Sequence, residues 1–174
     1  VVVDRQRSRV FYLTEDQRAF HATAPQCARD AMAPNARGWD ETETFPVPEL
    51  RQAAALGLGG ITVKDDVGGS TLSRLDATII FEELAQGCTS TAAYISIHNM
   101  AAWMIDAFGG DKQRRKFLPK LCTMEHFGSY CLTDPDAGSD AASLTSKEVR
   151  AGDFYVLTVL PACIPGGSAA GLSL

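Results

Sequence analysis

The residues best suited to a ligand site lie together in one short stretch, residues 130–140. This stretch combines the end of an expected strand, a turn set by Pro135, the glycine Gly138 and several hydroxyl-bearing side chains. Such a loop presents backbone N–H groups and hydroxyls without large side chains in the way, which suits a phosphate or a flat ligand with polar edges. On composition alone, a solvated turn between a helical region and a sheet is the simpler interpretation.

The same loop allows a calcium site as an alternative. Asp134, Asp136, Gly138 and Asp140 alternate as in a calcium-binding loop, but an EF-hand would also need a glutamate where Thr145 stands and a helix before the loop. A hydrolase is disfavoured because the sequence has no G-x-S-x-G elbow. No obvious nucleophile accompanies the histidines, which are His21, His98 and His126.

Composition and charge exclude several classes of protein. The 174 residues, 45% of them hydrophobic, allow one domain or one and a fraction. The net charge of -5 and the pI of about 5.1 argue against a general affinity for nucleic acid or for anionic membrane surfaces. No apolar run approaches the roughly 20 residues that span a bilayer, so we expect a soluble protein with no transmembrane segment. The five cysteines are scattered without a CxxC pair, which predicts reduced thiols in an intracellular compartment and no metal site.

A series of helices must position the loop. Capping residues, glycines and prolines mark where each helix begins and ends. The expected helices are residues 14–32, residues 49–56, the segment between the cap Ser73 and Gly87, residues 91–108, and residues 111–121. The helix over residues 91–108 is apolar on nearly every side, which places it at the centre of a bundle, with His98 as a hydrogen-bonded core residue. Residues 61–63 are expected to form a short extended piece.

After residue 126 the pattern changes from helices to strands. Residues 127–133 and 153–159 are rich in β-formers, whereas residues 161–174 contain no credible further element. We therefore expect a disordered segment over residues 1–13, an α-helical domain over 14–126, an incomplete β domain over 127–160 and a divergent, disordered tail over 161–174. The basic residues Arg5, Arg7 and Arg9 suit either the end of a mitochondrial presequence or a frayed terminus.

The decapeptide CLTDPDAGSD, residues 131–140, resembles the flavin-binding signature of acyl-CoA dehydrogenases, C-[LV]-T-E-P-x-x-G-S-D. Further segments between about residue 13 and about residue 156 also resemble that family; they are residues 33–35, 66–70, 72–76, 88–106 and 121–125. The resemblance implies a mainly α fold, in which an N-terminal helical bundle of this family's type is followed by the start of a β domain. It also implies FAD as the cofactor. The implied FAD-binding residues are Tyr130, Cys131, Leu132, Thr133, Gly138 and Ser139, with Ser139 also an implied substrate contact.

The activity implied by the resemblance is the FAD-dependent α,β-dehydrogenation of a short, branched acyl-CoA. In that chemistry a carboxylate removes the α-proton while the β-hydrogen leaves as hydride to the flavin. The resemblance further implies electron-transfer flavoprotein as the electron acceptor, a homotetramer, and a location in the mitochondrial matrix.

The sequence departs from the family pattern in three places. Asp134 stands where the family has glutamate, and Asp136 stands where it usually has glycine. At Asp136 we expect backbone strain if φ is positive, and we expect this second carboxylate to repel a bound phosphate. The similarity is expected to end near Val156. The catalytic glutamate of the family belongs to a C-terminal bundle, so no residue here is assigned as the base, and the chain is expected to be inactive alone. The alternative is a non-catalytic fragment that serves as a binding or oligomerisation module, or that is degraded.

Overall fold

The computed structural model describes residues 14–15, 24–158, 164–166 and 170–173. It is helix-rich, with 55% of residues helical and a small amount of sheet at the C-terminal end, which confirms the predicted fold class. Residues 1–13, which were predicted to be disordered, lie outside the described residues. So do residues 16–23 of the first predicted helix. The domain limits at residues 126 and 160 stay predictions.

The first described helical turns end just before Pro34. Residues 24–27 are α-helical and pass into a π-helical segment, Ala28–Met32, and the Ala33 amide donates to the Ala28 carbonyl at 2.8 Å. The segment stops at Met32 as predicted, but Ala33 keeps a helical conformation, with φ of -56° and ψ of -41°. The expected reason, that the residue before a proline avoids the α region, therefore does not apply here.

Five α-helices follow, of which the first was not predicted from the sequence. They are α1 (Ala36–Glu41), α2 (Val47–Ala55), α3 (Arg74–Gly87), α4 (Thr89–Phe108) and α5 (Asp111–Cys122). Ser73 caps α3 as predicted, since its hydroxyl accepts from the Asp76 amide at 3.2 Å and the Asp76 carboxylate accepts from the Ser73 amide at 2.8 Å. Gly57 ends α2 with φ of +84°, a conformation that glycine adopts without strain. Pro119 lies inside α5 rather than ending it.

Helix α4 occupies the centre and packs against α3, α5 and the first strand. One apolar cluster gathers buried side chains from the π-helical segment, α2, α3, α4 and the first strand; its large members are Met32, Leu50, Ile80, Leu84, Ile95 and Phe127. A smaller cluster joins α4 to α5 through Ala102, Leu118 and Leu121. The predicted central position of α4 is therefore confirmed.

The expected extended piece at residues 61–63 is a turn instead. Asn99 of α4 bonds to this turn: its Oδ1 accepts from the Ile61 amide at 2.7 Å, and its Nδ2 donates to the Leu58 carbonyl at 2.8 Å. The carbonyls of Ile61 and Val63 accept from the amides of Leu72 and Thr71 at 2.8 and 2.9 Å, so a side chain and a neighbouring loop together satisfy the segment.

The strands form two separate pairs. β1 (Phe127–Ser129) pairs in parallel with β4 (Ala170–Ser173), and β2 (Lys147–Ala151) forms an antiparallel hairpin with β3 (Phe154–Thr158). β1 is shorter than the predicted residues 127–133. β2 was not predicted, because Lys147–Ala151 carries few β-formers and every residue in it is exposed.

Strand β4 corrects the prediction for the last residues. Residues 161–174 were expected to be a disordered tail without a further element, yet Ala170–Ser173 pairs with β1. A strand of four residues is too short to show an alternation of apolar and polar side chains, so the sequence pattern does not reveal its main-chain pairing.

Within the described part of the chain, no helix combines the length and the apolar character needed to cross a bilayer.

Candidate functional site

The predicted site residues lie on one loop, at the exit of β1. Residues 130–133 follow β1 directly and are partly buried, with Leu132 the most exposed of them. The chain then reverses at Asp134, whose amide donates to the Ala137 carbonyl at 3.2 Å, while the Ala137 amide donates back at 3.1 Å. The two predicted groups, residues 130–133 and residues 138–139, therefore lie on the two sides of a two-residue turn.

The carboxylate of Asp134 is buried at the base of the loop. The expected repulsion of a phosphate concerned Asp136, which is exposed, and it stays a prediction. Asp134 is only 4% exposed and accepts four hydrogen bonds, from the amides and hydroxyls of Thr145 and Ser146, at 2.9 to 3.1 Å. The bond from the Ser146 hydroxyl is the main reason that the pKa of Asp134 is lowered. Its charge is therefore balanced by local donors, and the residue closes the base of the loop.

Asp136 has an unstrained backbone, and Gly138 has free space beside it. The φ of Asp136 is not positive, so the backbone strain expected from an aspartate at this position is absent. A Cβ placed on Gly138 would have no atom within 4 Å. The open space beside Gly138 lets a ligand approach the main chain of the loop, which is a common use of glycine in binding loops.

Two side chains of α4 hold the strand that leads into this loop. The amide of Gly128 donates to Nδ1 of His98 at 2.9 Å, and the carbonyl of Gly128 accepts from the Tyr94 hydroxyl at 3.2 Å. Nε2 of His98 lies 3.0 Å from the Leu121 carbonyl, and since Nδ1 accepts, Nε2 carries the proton. Burial lowers the pKa of His98 and raises the pKa of Tyr94, so both side chains are neutral. The prediction that His98 is a hydrogen-bonded core residue is confirmed.

The role of Tyr94 was missed in the sequence. The available signal was a tyrosine and a histidine four residues apart, which places both on one face of the apolar helix α4. Polar groups buried on one face require partners, and here the partners are the N–H and the C=O of a single residue, Gly128.

A second segment closes over the end of β1. The hydroxyl of Ser129 donates to the Pro165 carbonyl at 2.8 Å, and Gly166, with φ of +68°, lies against the ring of Tyr94. A Cβ on Gly166 would come within 2.3 Å of the Tyr94 ring, so this approach requires glycine. Residues 164–166 therefore belong to the surroundings of the loop.

The structure does not support the calcium alternative. Asp134 bonds to Thr145 and Ser146, whereas Asp140 caps a short 3-10 helix, Ala141–Ser143, by accepting from the Ala142 amide at 3.2 Å. Among the described residues, no group of three or more histidine, cysteine, aspartate or glutamate side chains is placed to hold a metal ion.

Comparison with known families identifies the helical region. Residues 14–125 match the family described as "Acyl-CoA dehydrogenase, N-terminal domain". The chain belongs to the acyl-CoA dehydrogenase family. The chain is 54% identical to mitochondrial isobutyryl-CoA dehydrogenase of Bos taurus over 160 residues, which is 92% of this chain and 38% of that protein. It is also 54% identical to the corresponding protein of Dictyostelium discoideum over 155 residues, which is 89% of this chain and 37% of that protein.

A solved structure shows how far the similarity extends within this acyl-CoA dehydrogenase chain. A glutaryl-CoA dehydrogenase of Mycobacterium smegmatis in complex with FADH2 superposes with a TM-score of 0.89 at 25% identity, covering 98% of this chain and 43% of that one. The expected end of the sequence similarity near Val156 stays a prediction. The chain spans about two fifths of the length of the proteins that it matches.

Proposed function

We propose that this chain is the N-terminal part of an FAD-dependent acyl-CoA dehydrogenase that oxidises a short, branched acyl-CoA, namely isobutyryl-CoA to methacrylyl-CoA in valine catabolism. The observation that carries the proposal is the 54% identity, across nine tenths of the chain, to isobutyryl-CoA dehydrogenases of two distant organisms. A difference of one methylene in the acyl chain changes which pocket residues are needed. The choice of isobutyryl-CoA therefore rests on these relatives.

The loop after β1 fits a flavin. Residues 130–133 offer main-chain donors and the Thr133 hydroxyl, which we assign to the flavin ring, while open space at Gly138 permits the close approach of a ligand. Ser139 is exposed beside Gly138 and is assigned to the flavin pyrophosphate or to the acyl-CoA. Bound FAD would accept the hydride from the β-carbon of the substrate.

The other steps need groups beyond those assigned here. No described residue is proposed as the carboxylate that removes the α-proton, which we place in the remaining three fifths of the complete protein. Electron-transfer flavoprotein is proposed as the acceptor of the electrons, and the complete protein is proposed to be a homotetramer in the mitochondrial matrix. The names of the relatives support the mitochondrial location.

A second candidate is a non-catalytic binding or oligomerisation module. It is favoured by the exposure of large apolar side chains, which reaches 77% for Phe108 at the end of α4 and 77% for Phe154 in the β2–β3 hairpin. Exposed apolar patches of this kind are usually covered by another part of a protein or by a partner.

The proposal is tested by purifying the protein in the presence of FAD and recording its visible spectrum before and after anaerobic addition of isobutyryl-CoA. A flavin band that bleaches is expected from the dehydrogenase. Thr133→Val, which removes a hydroxyl at constant volume, should weaken flavin binding, whereas Thr78→Val on exposed α3 should not. A colourless protein that associates with itself would favour the second candidate.

A further inference from the structure

We infer that Tyr94 and His98 are positioning residues, which together fix β1 and thereby place the flavin-contacting segment, residues 130–133. The inference rests on the proposed function, because it assigns a purpose to the placement of that segment. Its structural basis is the backbone of Gly128, whose N–H and C=O both form hydrogen bonds with side chains from adjacent turns of α4.

The sheet alone fixes β1 weakly. β1 has three residues and, in the described part of the chain, pairs with β4, where the register already shifts between Phe127 and Gly128. Short strands with few partners specify their register poorly. The two bonds from α4 therefore supply a constraint that the main-chain pairing lacks.

Packing around Gly128 supports the same register. A Cβ placed on Gly128 would lie 3.3 Å from the Cβ of Ala101 and 3.6 Å from a methyl group of Leu121. A slip by one residue would bring Phe127 or Ser129 into this narrow space. Phe127 is in turn held by the ring of Phe45, with centroids 5.4 Å apart.

A slip would be large on the scale of a binding site. One residue of strand advances the chain by about 3.3 Å, which would remove the main-chain donors and the Thr133 hydroxyl from hydrogen-bonding reach of a bound ring. Functional groups need to be held within about 0.5 Å of their working positions. The segment begins two residues after Gly128, so its position depends on the position of the Gly128 backbone.

The tautomer of His98 is itself fixed by the fold. Nε2–H donates to the Leu121 carbonyl near the end of α5, which leaves the lone pair of Nδ1 for the Gly128 amide. His98 therefore joins three elements, α4, α5 and β1, and only its neutral form can make both bonds.

Two substitutions at His98 separate the two bonds. In His98→Asn the amide oxygen can take the place of Nδ1 and accept from Gly128, but the side chain does not reach Leu121. In His98→Gln the amide nitrogen can take the place of Nε2 and donate to Leu121, but the acceptor for Gly128 is lost. Tyr94→Phe removes only the hydroxyl that donates to the Gly128 carbonyl. Ile80→Val, in the core of α3, is the control that lowers stability without contacting Gly128.

The measurements are amide hydrogen exchange of peptides covering residues 127–133 in the flavin-free protein, and the dissociation constant of FAD by titration. His98→Gln and Tyr94→Phe should each raise exchange in these peptides and weaken FAD binding by roughly five- to tenfold, the effect of one lost hydrogen bond. His98→Asn should change both less than His98→Gln, and Ile80→Val should change neither by more than about twofold.

Equal exchange in His98→Gln and His98→Asn would overturn the inference, as would faster exchange with an unchanged FAD dissociation constant. A wild-type protein that binds no FAD, but whose variants show the expected exchange pattern, would leave the placement of residues 130–133 by α4 standing and refute the proposed function instead.

Discussion

Asn99 provides the sharpest stability prediction, because its side chain bonds to two buried main-chain groups of the turn after α2. Oδ1 accepts from the Ile61 amide at 2.7 Å, and Nδ2 donates to the carbonyls of Leu58 and Ile95 at 2.8 and 2.9 Å. Ile61 is fully buried and Leu58 nearly so, so water cannot replace these bonds without opening the turn. Asn99→Ala removes all three bonds at once.

The expected loss follows from the groups left behind. Two buried main-chain groups outside α4, the Ile61 amide and the Leu58 carbonyl, become unsatisfied, at about 1–3 kcal/mol each. The better helix propensity of alanine offsets about 0.5 kcal/mol. We therefore expect Asn99→Ala to lower the free energy of unfolding by about 3 kcal/mol. For a chain of this length, that corresponds to a fall in melting temperature of about 6–12 °C.

Urea denaturation and thermal melts of the protein would measure this loss. Ser96→Ala is the matched control on the same helix, because the Ser96 hydroxyl bonds only to the Ala93 carbonyl one turn away, and it should change stability by less than about 0.5 kcal/mol. An Asn99→Ala variant that loses less than about 1 kcal/mol, or no more than Ser96→Ala, would refute the claim that Asn99 holds the turn.

Three further predictions concern titration, charge and close packing. His98 stays neutral in the folded chain because its pKa is lowered from 6.5, so the unfolded chain binds more protons than the folded chain below that pH. The free energy of unfolding, measured by urea denaturation, should therefore fall from pH 7 to pH 5.5. The fall should be less steep in His98→Asn. Arg114→Ala should lower the melting temperature because it leaves the buried carboxylate of Asp106 unpaired, and adding Asp106→Ala should recover part of the loss in a double-mutant cycle. Gly87→Ala should lower the melting temperature, since its Cβ would lie 2.4 Å from a carbonyl of the π-helical segment, whereas Gly38→Ala, with no atom within 4 Å, should raise it.

The helices could be predicted because their ends are marked by single residues with local effects. Ser73 with Asp76 and Gly57 after α2 both act through the backbone within one turn, so no knowledge of the tertiary structure is needed. The same holds for the loop after β1, whose Pro135 and Gly138 mark a turn and an open approach. These signals located the candidate site and four of the five described α-helices, but not α1.

The remaining features depend on distant partners. β4 pairs with a strand some forty residues earlier in the chain, and no pattern within Ala170–Ser173 indicates that partner. The orientation of Asp134 depends on Thr145 and Ser146, which provide four donors beyond the turn. The sequence of the loop alone does not show that the charge of Asp134 is compensated.

The polar residues of α4 explain why an otherwise apolar helix can fix its neighbours in one arrangement. An apolar face packs almost equally well in several registers, whereas a buried hydrogen bond is made in only one. Tyr94 and His98 bond to β1, Asn99 bonds to the turn after α2, and Asp106 bonds to the Lys64 amide and to Arg114 of α5. Polar side chains along α4 thus form hydrogen bonds with several neighbouring segments. The few polar residues of α4, rather than the many apolar ones, therefore determine the position of the loop that we propose binds flavin.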